Sequence, residues 1–298
     1  MKYLILKGGL GNQLFQLAKF LDLKEKSFLN NIQIDCRTGF FLDFKYKRSL
    51  EINALLKSKY CCPLYISIIN SIILCFKKLI PISIKIFPLK IIDDSNINLY
   101  LANNAEFKNK YILFNGYFQS SKSSERYFKY IKKFINNDLH ANEINLFESL
   151  YKEIKNKENS VALCIRFYEE SIDPNKHSNG IYGLKTVEEF NRVIHEIEDK
   201  LISPYFFIFV QKENDFTEKL KFNSPHKFIT HKKGYKGSWP RLKAQKYCKH
   251  HIFNNSTFYY WGAELSFDYH KEINSKQIIY VSNNFIFKEI YKQNWILF

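Results

Sequence analysis

Three glycines and two amides follow the first apolar run of the chain, in the segment LILKGGLGNQLFQ. Gly8, Gly9 and Gly11 stand between a strand-like run and a helix-like run, where main-chain N–H groups and the helix dipole favour an anion. Asn12 and Gln13 can cap the helix or hydrogen-bond the hydroxyl and phosphate oxygens of a ligand. The spacing therefore predicts a loop that approaches a phosphate-bearing ligand closely.

A dinucleotide site is one alternative for this loop. The Rossmann fingerprint is G-x-G-x-x-G, and here no third glycine follows Gly9 and Gly11 at the required spacing. Asp35 ends the next strand-like run, however, where dinucleotide-binding folds place the acid that binds ribose. NAD binding therefore stays open as the less favoured interpretation.

A second group of polar residues follows later apolar runs. Arg166 ends the run VALCIRF, and its guanidinium is a rigid fork of donors that matches phosphate oxygens. Because ligands bind at the carboxyl ends of strands in open α/β sheets, Arg166 is a candidate for neutralising a diphosphate. Asn255, Ser256 and Thr257 also stand between a strand-like and a helix-like run. Ser256 or Thr257 is expected to cap that helix, and the same donors suit a phosphate.

Strands and helices must alternate along the chain to position these residues. YLILK, IQIDC, YILFNGYFQ, VALCIRF, PYFFIFV and HIFNN are typical of strands, and amphipathic runs between them predict helices. Such alternation predicts parallel α/β sheets, interrupted once by a polar stretch near residue 145. We expect one domain over residues 1–145 and another over 146–298. The C-terminal run IYKQNWILF is expected to be a closing helix or a tail packed by Trp295. Whether this run packs back on the first domain is left open.

The composition restricts the class of protein. The chain has 298 residues, 46% of them hydrophobic, and a formal net charge of +16, so a packed protein with anionic partners is one interpretation. The other interpretation is that the lysine content reflects only the base composition of the coding sequence and indicates no partner. No recognisable nucleic-acid-binding motif is present, so we expect no nucleic acid partner. Six cysteines form no CxxC pair, which predicts reduced thiols and no metal site.

The longest apolar stretch runs from residue 61 to residue 87. Lys77, Lys78 and Pro81 interrupt it, and about 20 apolar residues are needed to span a bilayer. It is therefore expected to be a buried helix pair or to lie on a membrane surface, where lysines reach anionic headgroups. The start of the chain lacks the pattern of a signal peptide. A cytoplasmic protein is expected, with peripheral contact at the inner face of the membrane as an option.

Five segments in this order resemble signatures of the bacterial α-1,2-fucosyltransferase family. They are GGLGNQLFQ, NGYFQSSKSSERYF, VALCIRFYEE, YFFIF and YCKHHIFNNSTFYYWGAELS. The last is the most specific, since it follows the pattern C-x-x-x-I-x-x-N-S-[ST]-F-x-x-W-[GA]-A. The resemblance extends over nearly the whole chain.

The resemblance implies a GT-B-like α/β fold, in which two Rossmann-like domains face a cleft and the second holds a nucleotide-sugar. It implies an inverting, metal-independent glycosyltransferase that uses no cofactor beyond its GDP-sugar donor. The expected reaction moves L-fucose, or a related deoxysugar such as a 3,6-dideoxy-L-hexose, to a hydroxyl of a bacterial surface glycan. The expected hydroxyl is the 2-OH of galactose, in O-antigen or lipopolysaccharide biosynthesis, on a glycan that is free or lipid-linked.

The matched motifs also assign residues. Arg166, Glu169 and Asn12 are the expected catalytic residues, with Glu169 at the acidic position of the family as candidate base. The remaining assignments are donor binding by Gly9, Gly11, Cys164, Arg166, Asn255, Ser256 and Thr257, and acceptor-side contacts by Gln13, Tyr117 and Gln119.

The chain departs from the family at several of these positions. Cys164 stands where the family has histidine, Phe167 replaces its second arginine, and residues 210–212 read Val-Gln-Lys in place of Ser-Asp-Asp. These positions are expected to touch the nucleoside or the sugar. A member that binds nucleotide or glycan but has lost catalysis is therefore the alternative interpretation.

Overall fold

The chain forms two α/β units. The computed structural model describes residues 1–79, 89–102, 110–135, 144–167, 185–273, 275–285 and 288–298. Unit 1 runs from Met1 to Phe134 and unit 2 from Ile135 to Phe298. The boundary predicted at residue 145 falls inside a helix of unit 2, since that helix spans Ile144–Lys155.

Unit 1 contains a four-stranded parallel sheet in the order β2-β1-β4-β3. Its strands are β1 (Lys2–Ile5), β2 (Gln33–Asp35), β3 (Leu89–Ile92) and β4 (Tyr111–Phe114). Its helices are α1 (Leu10–Lys24), the short α2 (Thr38–Phe41), α3 (Leu64–Leu79), α4 (Ile97–Ala102) and α5 (Ser121–Ile135), with 3-10 turns at Ser27–Leu29, Asn53–Leu55 and Ser58–Tyr60.

Asp35 at the end of β2 is a fully buried carboxylate that fastens α2 and α3 to the sheet. It accepts hydrogen bonds from the main-chain N–H of Arg37 and Thr38 and from the Thr38 hydroxyl. From α3 it accepts the Ser67 hydroxyl at 2.9 Å and the Asn70 amide at 2.7 Å. Its oxygens are therefore used inside unit 1, and the ribose contact that the NAD alternative needs is contradicted.

Unit 2 contains a six-stranded parallel sheet in the order β10-β9-β8-β5-β6-β7. Its strands are β5 (Ser160–Cys164), β6 (Tyr205–Phe209), β7 (His226–Ile229), β8 (His250–Phe253), β9 (Ile279–Val281) and β10 (Ile296–Leu297). Its helices are α6 (Ile144–Lys155), α7 (Val187–Lys200), the short α8 (Asp215–Glu218), α9 (Ser238–Tyr247) and α10 (Thr257–Glu272), with a 3-10 turn at Lys288–Ile290.

The central strands of unit 2 are buried on both faces, as their continuous apolar runs predict. All five residues of β5 and all four of β8 are buried. Helix α7 begins with a capping box, because Thr186 and Glu189 each accept a main-chain N–H of the other. The predicted α/β class with parallel sheets is confirmed in both units.

The C-terminal tail ends as a strand. Ile296 and Leu297 pair with Tyr280 and Val281 of β9. Trp295, just before them, is buried against the rings of Phe253 and Tyr260 in unit 2. The expected packing by Trp295 is therefore found, but the tail extends the sheet of unit 2 and is not a closing helix.

Helix α3 occupies part of the apolar stretch considered for a membrane surface. Within the described ranges, no helix is both long and apolar enough to cross a bilayer.

Candidate functional site

The predicted motif residues of unit 1 meet where the strand order reverses. The chain passes from β1 to β2 on one side of β1, and β4 lies on the other side. In such sheets, ligands bind beyond the carboxyl ends of the two strands that flank the reversal. The loop after β1 carries the glycines and Asn12, and the loop after β4 carries residues 115–120.

Hydrogen bonds join these two loops. Gln16, fully buried on α1, accepts the Lys7 N–H at 3.0 Å and donates to the Gly116 carbonyl at 3.0 Å. The Lys7 ammonium donates to the Asn115 side chain at 2.8 Å. At the surface, the Gln119 amide donates to Asn12 Oδ1 at 3.0 Å. The first two motifs therefore form one polar edge.

Glycine is required at position 8 of this edge. Gly8 has a φ of +78°, a conformation that L side chains rarely adopt. A Cβ there would lie 2.8 Å from Asn12 Nδ2 and 3.2 Å from Tyr117 Cε1. Gly8 thus lets Asn12 and Tyr117 come together, which brings three predicted residues, Asn12, Tyr117 and Gln119, to one place.

Tyr117 is held among charged groups. Its N–H donates to Asp94 at 2.8 Å, and the Lys7 ammonium lies 5.0 Å from the centre of its ring. Burial, followed by the nearby carboxylates of Asp43 and Asp94, raises the pKa of the phenol. Tyr117 is therefore a neutral phenol at physiological pH, able to donate to or accept from a sugar hydroxyl.

Gln13 does not face a ligand, contrary to the acceptor-side prediction. Its side chain is fully buried, and its amide nitrogen donates to the carbonyls of Gly8 at 2.8 Å and Ser49 at 2.9 Å. Its oxygen accepts the Glu51 N–H at 2.8 Å. Gln13 therefore positions the glycine loop against the segment after α2.

A carboxylate occupies the start of α1, where the sequence predicted an anion site. The Leu10 N–H donates to Glu51 Oε1 at 3.0 Å. A diphosphate at this helix end would meet a like charge, and Gly11 is itself buried in the first turn. We therefore assign Gly9 and Gly11 to the geometry of the loop rather than to donor binding.

The predicted residues of unit 2 also meet at a reversal of strand order. β5 is flanked by β6 on one side and β8 on the other, so the carboxyl ends of β5 and β8 border the crevice. Arg166 follows β5 and is half-buried, and Asn255, Ser256 and Thr257 follow β8 and are half-buried as well. The structure therefore brings these four residues to one edge of the sheet.

Asn254 holds this edge together and was missed by the sequence analysis. It is fully buried, accepts the Arg166 N–H at 2.8 Å and donates to the Arg166 carbonyl at 2.9 Å. An asparagine beside a second asparagine gives no sign of such a long-range pair. Its two hydrogen bonds fix the main chain from which the Arg166 side chain leaves.

The segment after β8 differs from the predicted cap. Ser256 precedes α10 in an extended conformation, but its side chain makes no capping hydrogen bond. The Asn255 amide donates to the Asn284 carbonyl at 3.3 Å. The hydroxyl of Ser256 is thus not used to cap α10, contrary to the expectation for that side chain.

Two further residues missed from the sequence tie the strand ends of unit 2 together. The Tyr259 hydroxyl donates to the Ile165 carbonyl at 3.2 Å or the Phe209 carbonyl at 3.1 Å, beyond β5 and at the end of β6. Arg241 on α9 is buried and donates to three main-chain carbonyls: Val210 just after β6, Ile229 at the end of β7, and Tyr235 beyond β7. Arg241 is therefore a structural cation.

The prediction that Cys164 contacts the donor is wrong. It lies in β5 with no exposed surface, and burial raises the pKa of its thiol well above the ordinary value. Phe167 is also buried and packs edge-on against Phe216, with ring centres 5.3 Å apart. Glu169, the candidate base, lies outside the described residues.

The two histidines within the last motif are core residues. Burial lowers the pKa of both His250 and His251 to about 3, so both are neutral at physiological pH. His250 Nδ1 accepts the Ile278 N–H at 3.0 Å. Across the described part of the chain, no three His, Cys, Asp or Glu side chains are grouped so that they could hold a metal ion.

Comparison with known proteins places these motifs in context. No protein-family model matches the chain. A solved structure of a mutant of FUT1 from Arabidopsis thaliana in complex with GDP matches with a TM-score of 0.45 and 11% identity, over 93% of this chain and 70% of that one. The O-antigen biosynthesis glycosyltransferase WbnK of Escherichia coli is 26% identical over 95% of this chain and 96% of its own length. Along nearly its whole length the chain is thus a homologue of an O-antigen glycosyltransferase, and the predicted resemblance to glycosyltransferases is confirmed.

Proposed function

We propose that the protein is an inverting glycosyltransferase that moves L-fucose, or a related deoxysugar such as a 3,6-dideoxy-L-hexose, from a GDP-sugar to a surface glycan. The acceptor is a hydroxyl, with the 2-OH of galactose as first choice, in an O-antigen-type glycan carried on a lipid. The single observation that carries this proposal is the edge of unit 2 where Arg166, fastened by Asn254, stands beside Asn255, Ser256 and Thr257.

Arg166 is proposed to bind the diphosphate of the donor. Its main chain is immobilised by two hydrogen bonds at the crevice of the sheet, so its guanidinium leaves the sheet from a fixed point. As the bond from sugar C1 to the phosphate oxygen breaks, negative charge grows on the leaving diphosphate. A preorganised cation at that place stabilises this charge without a metal ion. Asn255, Ser256 and Thr257 add neutral donors.

The polar edge of unit 1 is proposed to bind the acceptor. Asn12 and Gln119 are half-buried and hydrogen-bonded to each other, a paired amide arrangement suited to sugar hydroxyls. The neutral phenol of Tyr117 is beside them. Asn12 cannot remove a proton, so its role is to orient the attacking hydroxyl.

The reaction is a single displacement at sugar C1 through an oxocarbenium-like transition state. The acceptor oxygen bonds to C1 while the bond to the diphosphate breaks, and the hydroxyl proton passes to a base. Glu169 keeps its proposed role as that base, on its place in the sequence three residues beyond Arg166.

A member that binds the nucleotide without transferring the sugar is the alternative. The burial of Cys164 and Phe167 supports it, because two side chains at positions expected to touch the donor lie in the core. Binding and transfer must therefore be measured separately.

The test is a thermal-shift and calorimetric titration with GDP, GDP-fucose, UDP and NAD on the wild type and on Arg166→Ala. At a ligand concentration 100-fold above its dissociation constant, a stabilisation of about 2.7 kcal/mol is expected. Arg192→Ala is the matched control, since Arg192 is exposed and forms a local ion pair with Glu196 on α7 at 2.6 Å. GDP should stabilise the wild type and the control but not Arg166→Ala.

Transfer is then assayed with GDP-fucose and galactose-terminated acceptors, by product mass and anomeric configuration. GDP binding that depends on Arg166 without any transfer would favour the impaired member. Absence of stabilisation by either guanine nucleotide would refute the proposed donor.

A further inference from the structure

Helix α3 presents an apolar face to solvent. Six of its large side chains are between 42% and 63% exposed: Leu64, Tyr65, Ile68, Ile69, Ile72 and Phe76. Their spacing places them within about 140° of the helix circumference. Single exposed apolar residues are normal, but a contiguous face of this length marks an interaction surface.

The orientation of α3 is set by polar groups on its opposite side. Ser67 and Asn70 have no exposed surface and donate to the buried carboxylate of Asp35 at 2.9 and 2.7 Å. Rotating the helix to bury its apolar face would break two of the five hydrogen bonds that this buried carboxylate accepts. The apolar face is therefore held outward.

A second group of exposed apolar residues lies in the segment at and after α2, which packs on α3. The Thr38 hydroxyl oxygen in α2 lies 2.8 Å from the Ser67 carbonyl oxygen in α3. Along this segment, Phe41 is 50% exposed, Phe44 80% and Tyr46 41%. We call these residues and the apolar face of α3 together the α2–α3 surface.

The chain that builds this surface is strongly cationic. Between residues 37 and 78 its acids are Asp43 and Glu51, and both accept main-chain N–H groups. Its cationic residues with described side chains are Arg37, Lys45, Lys47, Arg48, Lys57 and Lys59. An exposed apolar helix face with basic residues in the adjoining chain combines the two attractions, apolar burial and charge, that bind a protein surface to an anionic bilayer.

We propose that the α2–α3 surface docks on the surface of an anionic lipid bilayer. The aliphatic and aromatic side chains of α3 enter the boundary between headgroups and acyl chains, and the cations of the segment attract the lipid phosphates. A second copy of the chain is disfavoured as occupant, because each copy carries a net charge of +16. The proposal does not depend on the glycosyltransferase chemistry. It uses none of the residues assigned to donor or acceptor binding at the strand ends of the two units.

The experiment is sedimentation of the full chain with vesicles of phosphatidylcholine alone and with vesicles half phosphatidylglycerol. The variant Ile68→Ser with Ile72→Ser is compared with Ile202→Ser with Ile273→Ser, a control whose residues are 87% and 59% exposed outside α3. We expect binding to the anionic vesicles, weakened about tenfold or more in the α3 variant and unchanged in the control. Added salt should weaken it as well.

Equal binding by the α3 variant and the wild type, or equal binding to neutral and anionic vesicles, would overturn the proposal. So would a wild-type dimer that the α3 substitutions dissociate, because a second copy would then occupy the surface. Thermal unfolding of each variant checks that the fold is intact. The GDP titration of Arg166→Ala is read separately, so failure of one proposal leaves the other testable.

Discussion

Replacing Asn254 should damage both the stability of unit 2 and the binding of the donor. Asn254→Ala removes two hydrogen bonds of 2.8 and 2.9 Å to the Arg166 main chain and leaves a fully buried space. Each lost bond that leaves a desolvated partner costs about 1–3 kcal/mol, which gives about 2–6 kcal/mol for the two. Because Arg166 is only half-buried, we expect the lower part of this range, about 2–4 kcal/mol. The melting temperature should fall by about 5–15 °C.

Asn254→Asp distinguishes the hydrogen bond that Asn254 accepts from the one that it donates. The carboxylate can still accept the Arg166 N–H, but its second oxygen faces the Arg166 carbonyl with no proton to donate. This variant should be at least as unstable as Asn254→Ala near neutral pH. Lowering the pH should reduce its deficit relative to the wild type at the same pH, because a protonated carboxyl regains a donor.

Asn191→Ala is the matched control. Asn191 on α7 also hydrogen-bonds two main-chain groups, the Lys219 carbonyl at 3.2 Å and the Lys221 N–H at 2.9 Å. It is only half-buried, so water can replace both bonds and its removal should cost about 1 kcal/mol or less. Urea unfolding and GDP titration are measured on all three variants. If Asn254→Ala unfolds and binds GDP like Asn191→Ala, the view that Asn254 fixes Arg166 is refuted.

Three further predictions concern packing and pH. Gln13→Leu should lower the free energy of unfolding of unit 1 by about 3–5 kcal/mol, since three main-chain groups lose their hydrogen-bond partner. The affinity for GDP should stay intact. A weakened GDP affinity in the folded variant would contradict this structural role. Gly8→Ala should destabilise the fold by about 1–3 kcal/mol through backbone strain at positive φ. Gly9→Ala should be near neutral, because no atom lies closer than 4.0 Å to the added Cβ. Equal unfolding curves for the two variants would refute this. Burial lowers the pKa of His250 and His251 to about 3 in the folded protein, so as the pH falls both histidines take up protons in the unfolded chain before they do so in the folded one. The free energy of unfolding should therefore fall as the pH drops below about 6.5, by about 1.4 kcal/mol per histidine at pH 5.5. Urea unfolding of the wild type and of His251→Leu from pH 7.5 to 5.5 checks this, and the variant should have a shallower slope.

The alternation of apolar strands and amphipathic helices was sufficient to predict both parallel sheets. It located β5, β6 and β8, where apolar runs are continuous, but it missed β3, β7, β9 and β10. In β7 (His226–Ile229) only the last residue is buried, and β10 has two exposed residues, so neither has a clear apolar pattern. Edge strands of this kind are set by pairing with a neighbour, and that neighbour is not readable from local sequence.

The grouping of the candidate residues at the strand ends was predictable, and their hydrogen-bond partners were less so. Strand-end positions identified Arg166 and the loop after β1, because the carboxyl ends of parallel strands collect at one edge. The partner of each polar group was not predictable. Asp35 was available for ribose by position but is used by α2 and α3, and Glu51 reaches the start of α1 from far along the chain.

Exposure rather than residue type separates the amides that hold these edges from those available to a ligand. Gln13, Gln16 and Asn254 are fully buried, and each makes its hydrogen bonds to main-chain groups of a neighbouring loop. Asn12 and Gln119 are half-buried and bond side chain to side chain, an arrangement that a ligand can rearrange without leaving a buried group unsatisfied. Substituting the first group should therefore appear as lost stability, and substituting the second as lost affinity for the acceptor at unchanged stability.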